Sequence, residues 1–351
     1  MKKLLPLLLC ACLLCAPFLS GCTPAANEKP SSITVFNWED YINPEIFDLF
    51  EKETGIKVTY TRFTTNEEMY LRLDRGGVNY DVAFPSDYMI ERLVKNDLLL
   101  PLDHEKLPEF KNTYAWLQTP DYDPESKYSV PYMWGTVGIL YNTEMTDGEI
   151  DSWGAMWDAK YLRNVLMMDS VRDSLGITLC YLGFDLNTRD ETQLAAAAEM
   201  LKEQKRSGVV LAYGVDEIKD KMVNNEAALG LVWSGDAITS IDLNEGLAFC
   251  VPKEGSNVWI DGMVIPRSSK NPEGALAFIN FMMRPEIAAM NSEYIGYSTP
   301  NEAAMAILGA EYSENPIFNP PAEVIARCKF FHDVEDALET YNRIWEEVMN
   351  E

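Results

Sequence analysis

Short apolar runs alternate with segments in which apolar residues recur at helical spacing along most of the chain. The apolar runs that predict strands lie at residues 33–36, 57–63, 80–84 and 228–232. The segments with helical spacing lie at residues 43–54, 65–75, 87–97, 190–206, from 271 onward and from 333 to the C-terminus. This alternation of strands and helices predicts an α/β fold.

Several of the predicted helices carry sequence signals for their ends. Asn43 is predicted to cap a helix whose first residue is Pro44, since proline is tolerated there. Thr65 and Glu68 have the spacing of a capping box, and Gly208 is predicted to end the alanine-rich helix that precedes it.

The first 21 residues are predicted to be a secretory signal. Two lysines precede an apolar run at residues 4–14, which is too short to cross a membrane. The following LSGC at residues 19–22 resembles the lipobox of bacterial lipoproteins, in which Cys22 would carry the lipid. Residues 22–32 are then a tether, and the domain is expected outside the cytoplasm, held at the membrane by this anchor alone. The alternative is a plain signal peptide followed by a chance cysteine.

Charge and length narrow the classes of protein further. The chain has 55 acidic and 29 basic residues and a formal net charge of −26, a balance that repels nucleic acid and anionic lipids. We therefore expect no nucleic-acid partner. About 330 residues remain after the signal, more than one hydrophobic core usually holds, so two lobes are expected.

Catalytic and metal-binding patterns are weak. Cys180, Cys250 and Cys328 would remain after processing, and we expect free buried thiols, with one disulfide and a leftover cysteine as the alternative. Two histidines are too few for most metal or acid–base chemistry, and no nucleophile elbow, zinc helix or phosphate loop is present in the sequence. No enzyme activity, metal or cofactor is therefore predicted.

Four stretches place a carboxylate within three residues of a large aromatic ring. They lie at residues 38–41, 86–88, 233–236 and 259–261. A carboxylate beside a π-face suits an organic ammonium, which gains charge-assisted hydrogen bonds and a cation–π contact. The stretches follow apolar runs, and ligands of open α/β sheets bind where strands end. The pattern predicts a binder of cationic small molecules.

Longer sequence motifs resemble those of a known protein family. The matching segments are residues 36–41 (FNWEDY), 53–58 (ETGIKV), 81–86 (DVAFPS), 130–135 (VPYMWG) and 295–301 (IGYSTPN). Together they resemble the spermidine/putrescine-binding proteins of bacterial ABC importers, over roughly residues 32–334. The resemblance implies a two-lobed, type II periplasmic-binding-protein-like α/β fold with the ligand in the cleft.

The same resemblance implies lobe limits and partners. Lobe 1 would comprise residues 31–138 and 260–307, and lobe 2 residues 139–259 and 308–351, with crossover strands near 136–140 and 255–262. The partners would be a polyamine and ABC permease subunits with a separate ATPase, and the binding protein would act as a monomer.

Site residues are carried over from the resemblance. The aromatic walls would be Trp38, Tyr41, Trp233, Trp259 and Tyr297. The acids that hold the ammonium groups would be Asp173, Asp236 and Asp261, with Ser86 and Tyr88 at the cleft mouth. Weaker candidates are Asp40, Asp87, Ser170 and Phe331.

Each assignment has a structural alternative. Asp173 could be satisfied by Arg172 or by a helix N-terminus, and Asp236 could cap a helix starting at Ala237. Glu39 and Asp87 could be solvated rim charges. Trp38 and Tyr297 could be ordinary core aromatics.

The choice of ligand stays open. Ser170 stands where spermidine-preferring members carry an acid and Phe331 near where they carry Gln; these differences, with Asp236, favour putrescine. Trp259 and Tyr88 match the spermidine type instead. Other cationic ligands, a ferric ion held by Tyr294 and Tyr297, and a surface glycosidase are the remaining alternatives.

Overall fold

The computed structural model describes residues 32–39 and 41–351. The predicted signal, Cys22, nearly all of the tether and the candidate site residue Asp40 lie outside the described residues. Within the described part, no helix is long and apolar enough to span a membrane.

The described residues form ten strands, thirteen α-helices and six short 3₁₀ helices. The strands are β1 (Ser32–Trp38), β2 (Lys57–Phe63), β3 (Val82–Ala83), β4 (Leu99–Leu100), β5 (Ser129–Asn142), β6 (Val165–Met168), β7 (Val210–Gly214), β8 (Leu229–Trp233), β9 (Leu247–Cys250) and β10 (Val258–Pro266). The helices are α1 (Glu45–Thr54), α2 (Asn66–Arg75), α3 (Asp87–Lys95), α4 (Val171–Tyr181), α5 (Glu191–Ser207), α6 (Glu217–Val223), α7 (Ser234–Leu243), α8 (Pro272–Met282), α9 (Pro285–Ile295), α10 (Glu302–Leu308), α11 (Ala310–Ser313), α12 (Ala322–Ile325) and α13 (Leu338–Asn350). The 3₁₀ helices are His104–Lys106, Pro108–Asn112, Ala115–Leu117, Trp153–Trp157, Ala159–Tyr161 and Glu335–Ala337.

The strands join in the order β2-β1-β3-β10-β5-β8-β6-β7, with β4 added to β10 and β9 to β5. β1 is parallel to β2 and β3, and β6 is parallel to β7 and β8. β10 and β5 run antiparallel to each other in the middle. Parallel strands joined through helices at both ends of the order give the predicted α/β class.

β5 links two halves of this sheet. Its residues up to Thr136 pair with β10, whereas those from Val137 onward pair with β8, and from Ile139 also with β9. All fourteen of its residues are buried, as expected for a strand covered on both faces. One large hydrophobic cluster contains Val137 and extends to Val348 in α13, and two others contain β1 and β10 residues. The first cluster contains the C-terminal half of β5 and the other two contain its N-terminal half, which fits a two-lobed molecule.

Helix ends follow local side-chain chemistry. Asp190 accepts hydrogen bonds from the first turn of α5, and Gly208 ends that helix in the left-handed conformation, as predicted. Thr65 caps α2 as predicted, although Glu68 accepts from the amide of Thr64 and not from Thr65 itself.

Some predicted boundaries were wrong. α1 starts at Glu45, so Pro44 precedes the helix and is not its first residue, while Asn43 Oδ1 accepts from the Glu45 amide. The strand expected over residues 80–84 is limited to Val82–Ala83, because only these two residues keep ladder pairs with β1.

Cys180, Cys250 and Cys328 are free thiols. The expectation that they are unpaired is therefore confirmed and the disulfide alternative is wrong. They are only partly exposed, and burial raises the pKa of Cys180 to about 12. A thiol that stays protonated at neutral pH is a poor nucleophile.

Candidate functional site

The carboxylate of Asp261 lies where β10 is irregular. The register of β10 against β5 shifts between Asp261 and Gly262, a bulge that re-aims the side chain at this point. Asp261 Oδ1 accepts a 2.6 Å hydrogen bond from Ser86 Oγ, and Oδ2 accepts one of 2.8 Å from Tyr41 Oη. Burial raises the pKa of Asp261 to about 6, although these two donors oppose the rise. The Asp261 carboxyl group therefore changes its protonation state at about pH 6.

Asn66 holds two of the predicted residues at the cleft mouth. Its Nδ2 donates to Ser86 Oγ at 3.0 Å and to Tyr88 Oη at 3.1 Å, while its Oδ1 accepts from the Ser86 amide. Ser86 can therefore direct its own proton to Asp261. Asn66 was missed by the sequence analysis, because an asparagine one residue after a predicted helix cap gives no signal of its own.

Tyr297 connects the aromatic residues. Its ring makes edge contacts with Tyr41 and Trp259 at centroid distances of 5.8 and 5.3 Å. On the other side it covers Gly235, where a Cβ would lie only 2.5 Å from the ring, so no larger residue fits there. Such tilted pairs are favourable for aromatic quadrupoles, and they form a continuous apolar wall.

Asp236 is buried in the first turn of α7. Because α7 already begins at Ser234, the alternative that Asp236 caps a helix starting at Ala237 is wrong. Its Oδ1 accepts a 3.2 Å hydrogen bond from Tyr297 Oη and lies 3.2 Å from Lys219 Nζ. Burial raises the pKa of Asp236, and the Lys219 ammonium opposes this rise.

Asp173 and Ser170 form the start of α4. Ser170 is the N-cap, and its Oγ donates a 2.5 Å hydrogen bond to Asp173 Oδ2. Burial raises the pKa of Asp173, opposed by Ser170, Arg172 and a hydrogen bond from the Trp233 side chain. The hydroxyl of the N-cap Ser170 thus partly satisfies this carboxylate, and the Trp233 side chain donates to it as well.

Arg172 lies among aromatic rings. Its guanidinium is 5.3 Å from the ring centre of Tyr88 and 4.4 Å from that of Phe331, and it donates to the carbonyl oxygen of His332. Phe331 therefore packs against an arginine of the protein itself. The contact between Arg172 and Tyr88 joins α4 to α3, and these two helices pack on different hydrophobic clusters.

Asp87 is fully buried, with 0% of its surface exposed. The alternative that it is a solvated rim charge is therefore wrong. Burial raises its pKa well above the usual range, opposed by the Tyr88 amide and by Arg172, while Asp261 adds to the rise. Glu39, in contrast, is exposed and pairs with Arg62, so it is a rim charge as expected.

Trp38 is the last residue of β1. Its Nε1 donates a 2.9 Å hydrogen bond to the carbonyl oxygen of Phe84, and its ring packs on Phe63. It is half-buried, so it is not a fully enclosed core residue.

The ferric-ion alternative does not fit this arrangement. Tyr294 is 56% exposed, whereas Tyr297 turns inward against Gly235 and Asp236. The part of the chain that the structure describes also contains no group of three histidine, cysteine, aspartate or glutamate side chains that could hold a metal.

Comparisons with known proteins agree with this architecture. Residues 45–320 match the family model of bacterial extracellular solute-binding proteins, and the chain belongs to that family. Its members are transport binding proteins, not enzymes, and the predicted two-lobed α/β class is confirmed.

Individual relatives cover nearly the whole chain. A spermidine/putrescine-binding periplasmic protein of Salmonella typhimurium is 34% identical over 93% of this chain and 94% of its own length. The solved spermidine/putrescine ABC transporter substrate-binding protein of Streptococcus pneumoniae is 38% identical, with a TM-score of 0.82, over 91% of this chain and 99% of that one. A lipoprotein of Treponema pallidum is 25% identical, with a TM-score of 0.81, over 90% and 99%.

Proposed function

We propose that this protein is the extracytoplasmic binding component of an ABC importer for polyamines, with putrescine, spermidine or both as its ligands. The observation that carries the proposal is the Asp261 carboxylate, which is buried, held by Ser86 and Tyr41, and joined through Tyr41 to an aromatic wall. The names of relatives that are at least 30% identical over most of the chain support the same ligand class.

The chemistry of the site matches that of a polyamine. Such a ligand has ammonium groups joined by methylene chains, so it needs acids for the ammonium groups and apolar faces between them. Asp173, Asp236 and Asp261 would supply the acids, each contributing about 1.5–3 kcal/mol through a charge-assisted hydrogen bond. The rings of Trp259 and Tyr297 would line the middle, where a desolvated cation–π contact contributes about 2 kcal/mol.

The proposal includes closure of two lobes around the ligand. Lobe 1 would be residues 31–138 and 260–307, and lobe 2 residues 139–259 and 308–351. The change of β5 partners after Thr136 supports a crossover near residues 136–140. The hydrogen bond from Tyr297 to Asp236 would then join the lobes in the closed form.

The proposal also places the protein outside the cytoplasm as a monomer that a lipid anchors to the bacterial cell membrane. Cys22 would carry the lipid, and permease subunits with a separate ATPase would receive the closed, loaded form. The lipoprotein nature of the Treponema pallidum relative supports the anchor.

Titration calorimetry on the mature protein tests the function. Putrescine and spermidine are each titrated, with ferric ion and an oligosaccharide as comparison ligands. We expect saturable heat with at least one polyamine at micromolar or lower concentration and none with the other two. Heat from ferric ion but from neither amine would reject the polyamine proposal, and turnover of the sugar would establish an enzyme.

A further inference from the structure

His332 lies at the boundary between two hydrophobic cores. Leu93 of α3 belongs to one hydrophobic cluster, whereas Val334 belongs to the cluster that extends into α13. Phe330 packs against the cluster of Leu93, so the chain passes from one core to the other between Phe330 and Val334. His332 is therefore at the boundary between the two proposed lobes.

The main chain of His332 is held by residues of the proposed lobe 2. Its amide donates a 2.8 Å hydrogen bond to Asn187 Oδ1, and its carbonyl oxygen accepts one of 3.0 Å from Arg172 Nη1. Asn187 Nδ2 also donates to the carbonyl oxygen of Phe330, and Arg172 Nη2 donates to Asn187 Oδ1. One side chain of α4 and one from the loop after α4 thus fix this backbone.

The imidazole of His332 contacts acids of the proposed lobe 1. Its Nδ1 lies 3.3 Å from Glu91 Oε2 of α3, and its Nε2 lies 3.2 Å from Asp121 Oδ2. These two carboxylates raise the pKa of His332 to about 10, so the ring carries a positive charge at neutral pH. The contacts are therefore charge-assisted hydrogen bonds, which are stronger than those between neutral groups. They join a backbone fixed in one lobe to acids of the other.

A second ionic contact crosses the same boundary and is more exposed to water. Lys95 Nζ of α3 lies 2.9 Å from Glu335 Oε1, and Glu335 also pairs with Arg189. The Lys95 and Glu335 side chains are 40% and 45% exposed. Those of His332 and Glu91 are 34% and 23% exposed. Because exposed ion pairs contribute little, we expect His332 to supply most of the ionic attraction across the boundary.

The contacts of His332 reach both sides of the candidate binding site. Tyr88 at the cleft mouth precedes Glu91 by three residues in α3. Arg172, which holds the His332 carbonyl oxygen, directly precedes the candidate anchor Asp173 in α4. The guanidinium of Arg172 also lies 5.3 Å from the ring centre of Tyr88. His332 therefore fixes the start of α3 against the start of α4.

We infer that His332 is a positioning residue that latches the two lobes in the closed form and thereby slows release of the ligand. The inference rests on the proposed polyamine-binding function and on its two closing lobes. Separation of the lobes would take the imidazole away from Glu91 and Asp121, so the closed form has a contact that the open form lacks. The apparent affinity for a ligand falls with the fraction of molecules that can adopt the binding-competent form.

Stopped-flow tryptophan fluorescence and calorimetry on the mature protein test this role, with putrescine and spermidine as ligands. His332→Gln removes the charge and keeps a polar side chain. Asp121→Asn changes a partner that is 58% exposed, so this variant should fold even if His332→Gln does not. The double variant His332→Gln/Asp121→Asn completes the cycle. His104→Gln is the matched control, because His104 Nε2 contacts the carbonyl oxygen of Ser126 at 2.6 Å, within the proposed lobe 1.

The wild type must first bind at least one of the two amines, since absence of heat with both would reject the proposed function and the inference with it. With an amine that binds, we expect the dissociation rate constant to rise about tenfold in His332→Gln and about threefold in Asp121→Asn. The association rate constant should stay within about twofold, so affinity falls by the same factors. The double variant should dissociate no faster than His332→Gln, because Asp121 then no longer faces an imidazolium. His104→Gln should keep the wild-type rate constants.

An unchanged dissociation rate constant in His332→Gln, or an equal rise in His104→Gln, would overturn the inference and leave polyamine binding in place. Rises that multiply in the double variant would do the same, because the histidine and the acid would then act separately. A loss of affinity that lies wholly in the association rate constant would also overturn it, since a latch acts after the ligand has bound. Thermal melts verify that each variant is folded. If His332→Gln is not folded, an unchanged dissociation rate constant in Asp121→Asn overturns the inference.

Discussion

Tyr41 Oη donates a 2.8 Å hydrogen bond to Asp261 Oδ2. The phenol follows β1 and the carboxylate lies at the bulge of β10, so the contact joins residues that are 220 positions apart in the chain. A neutral donor fixes the carboxylate without neutralising it. The Asp261 carboxylate can therefore still attract a cation, although burial favours its protonated form.

Asp261→Asn is expected to weaken polyamine affinity tenfold or more. The amide keeps the size of the side chain but removes the charge, and the ligand ammonium would lose its ionic partner in a buried place. Calorimetry measures the change. Asp48→Asn, an exposed acid in α1, removes the same formal charge and is the control. Equal affinities of the wild type and Asp261→Asn would remove Asp261 from the site.

Affinity is expected to depend on pH through Asp261. Its pKa is about 6 in the folded protein against a usual value of 3.8, and an ammonium binds the ionised form. Binding below pH 6 must therefore release a proton, and affinity should fall by up to about tenfold per pH unit. Calorimetry between pH 5 and 7.5 would show this fall in the wild type and a much flatter profile in Asp261→Asn. Identical profiles would contradict the assignment.

The same pKa has the opposite consequence for the ligand-free protein. Because the folded state holds this proton more tightly than the unfolded chain, the contribution to stability is fully present below pH 3.8 and is lost as the pH rises through about 6. In thermal melts without ligand, the melting temperature of Asp261→Asn should therefore rise relative to that of the wild type as the pH increases over this interval. A constant difference in melting temperature would show that the two states have the same pKa.

Ser170→Asp is expected to shift preference towards the triamine. Aspartate is as good an N-cap as serine, so α4 should keep its start, while a second carboxylate is added beside Asp173. The measurement is the ratio of spermidine to putrescine affinity. Ser170→Asn caps the helix without a charge and is the control. An unchanged ratio in Ser170→Asp would refute the role of this position.

Cys22→Ser is expected to release the mature protein from the membrane fraction. The LSGC motif predicts that Cys22 carries the lipid, and serine cannot take a thioether-linked anchor. Detergent phase partition of the expressed full chain measures the change, with Cys180→Ser as the control because that thiol lies in the folded domain. If both variants were recovered in the detergent phase, the anchor would be an apolar segment of the chain and not a lipid on Cys22.

Local sequence signals predicted many elements of the fold. Gly208 predicted the end of α5 because a cap depends on one residue and its neighbours. Three of the four aromatic–acid stretches lie where a strand ends or a helix starts, as expected, whereas residues 259–261 lie inside β10, so the expectation of a strand end was wrong there. Lys219 gave no such signal. Its pairing with Asp236 arises from the packing of α6 beside α7, and a lysine in an exposed-looking amphipathic helix is indistinguishable from a solvated one in sequence.

A charged cluster joins α3 to the segment before α13. Glu91 accepts a hydrogen bond from the Asp333 amide at 2.9 Å and lies 3.3 Å from His332 Nδ1, and His332 Nε2 lies 3.2 Å from Asp121 Oδ2. Lys95 also contacts Glu91. The hydrogen bonds to Asp121 and Glu91 raise the pKa of His332 to about 10. His332 is therefore a charged imidazolium at neutral pH.

This cluster predicts a loss of stability at high pH. A histidine whose pKa is raised from 6.5 to about 10 on folding contributes stability that is fully present below pH 6.5 and is lost as the pH rises through about 10. Melting temperatures of the wild type should therefore fall towards those of His332→Gln between pH 6.5 and 10. His104→Gln removes the other histidine, which lies outside this cluster, and is the control. A gap between the wild type and His332→Gln that stays constant over this interval would show that His332 is neutral in the folded protein.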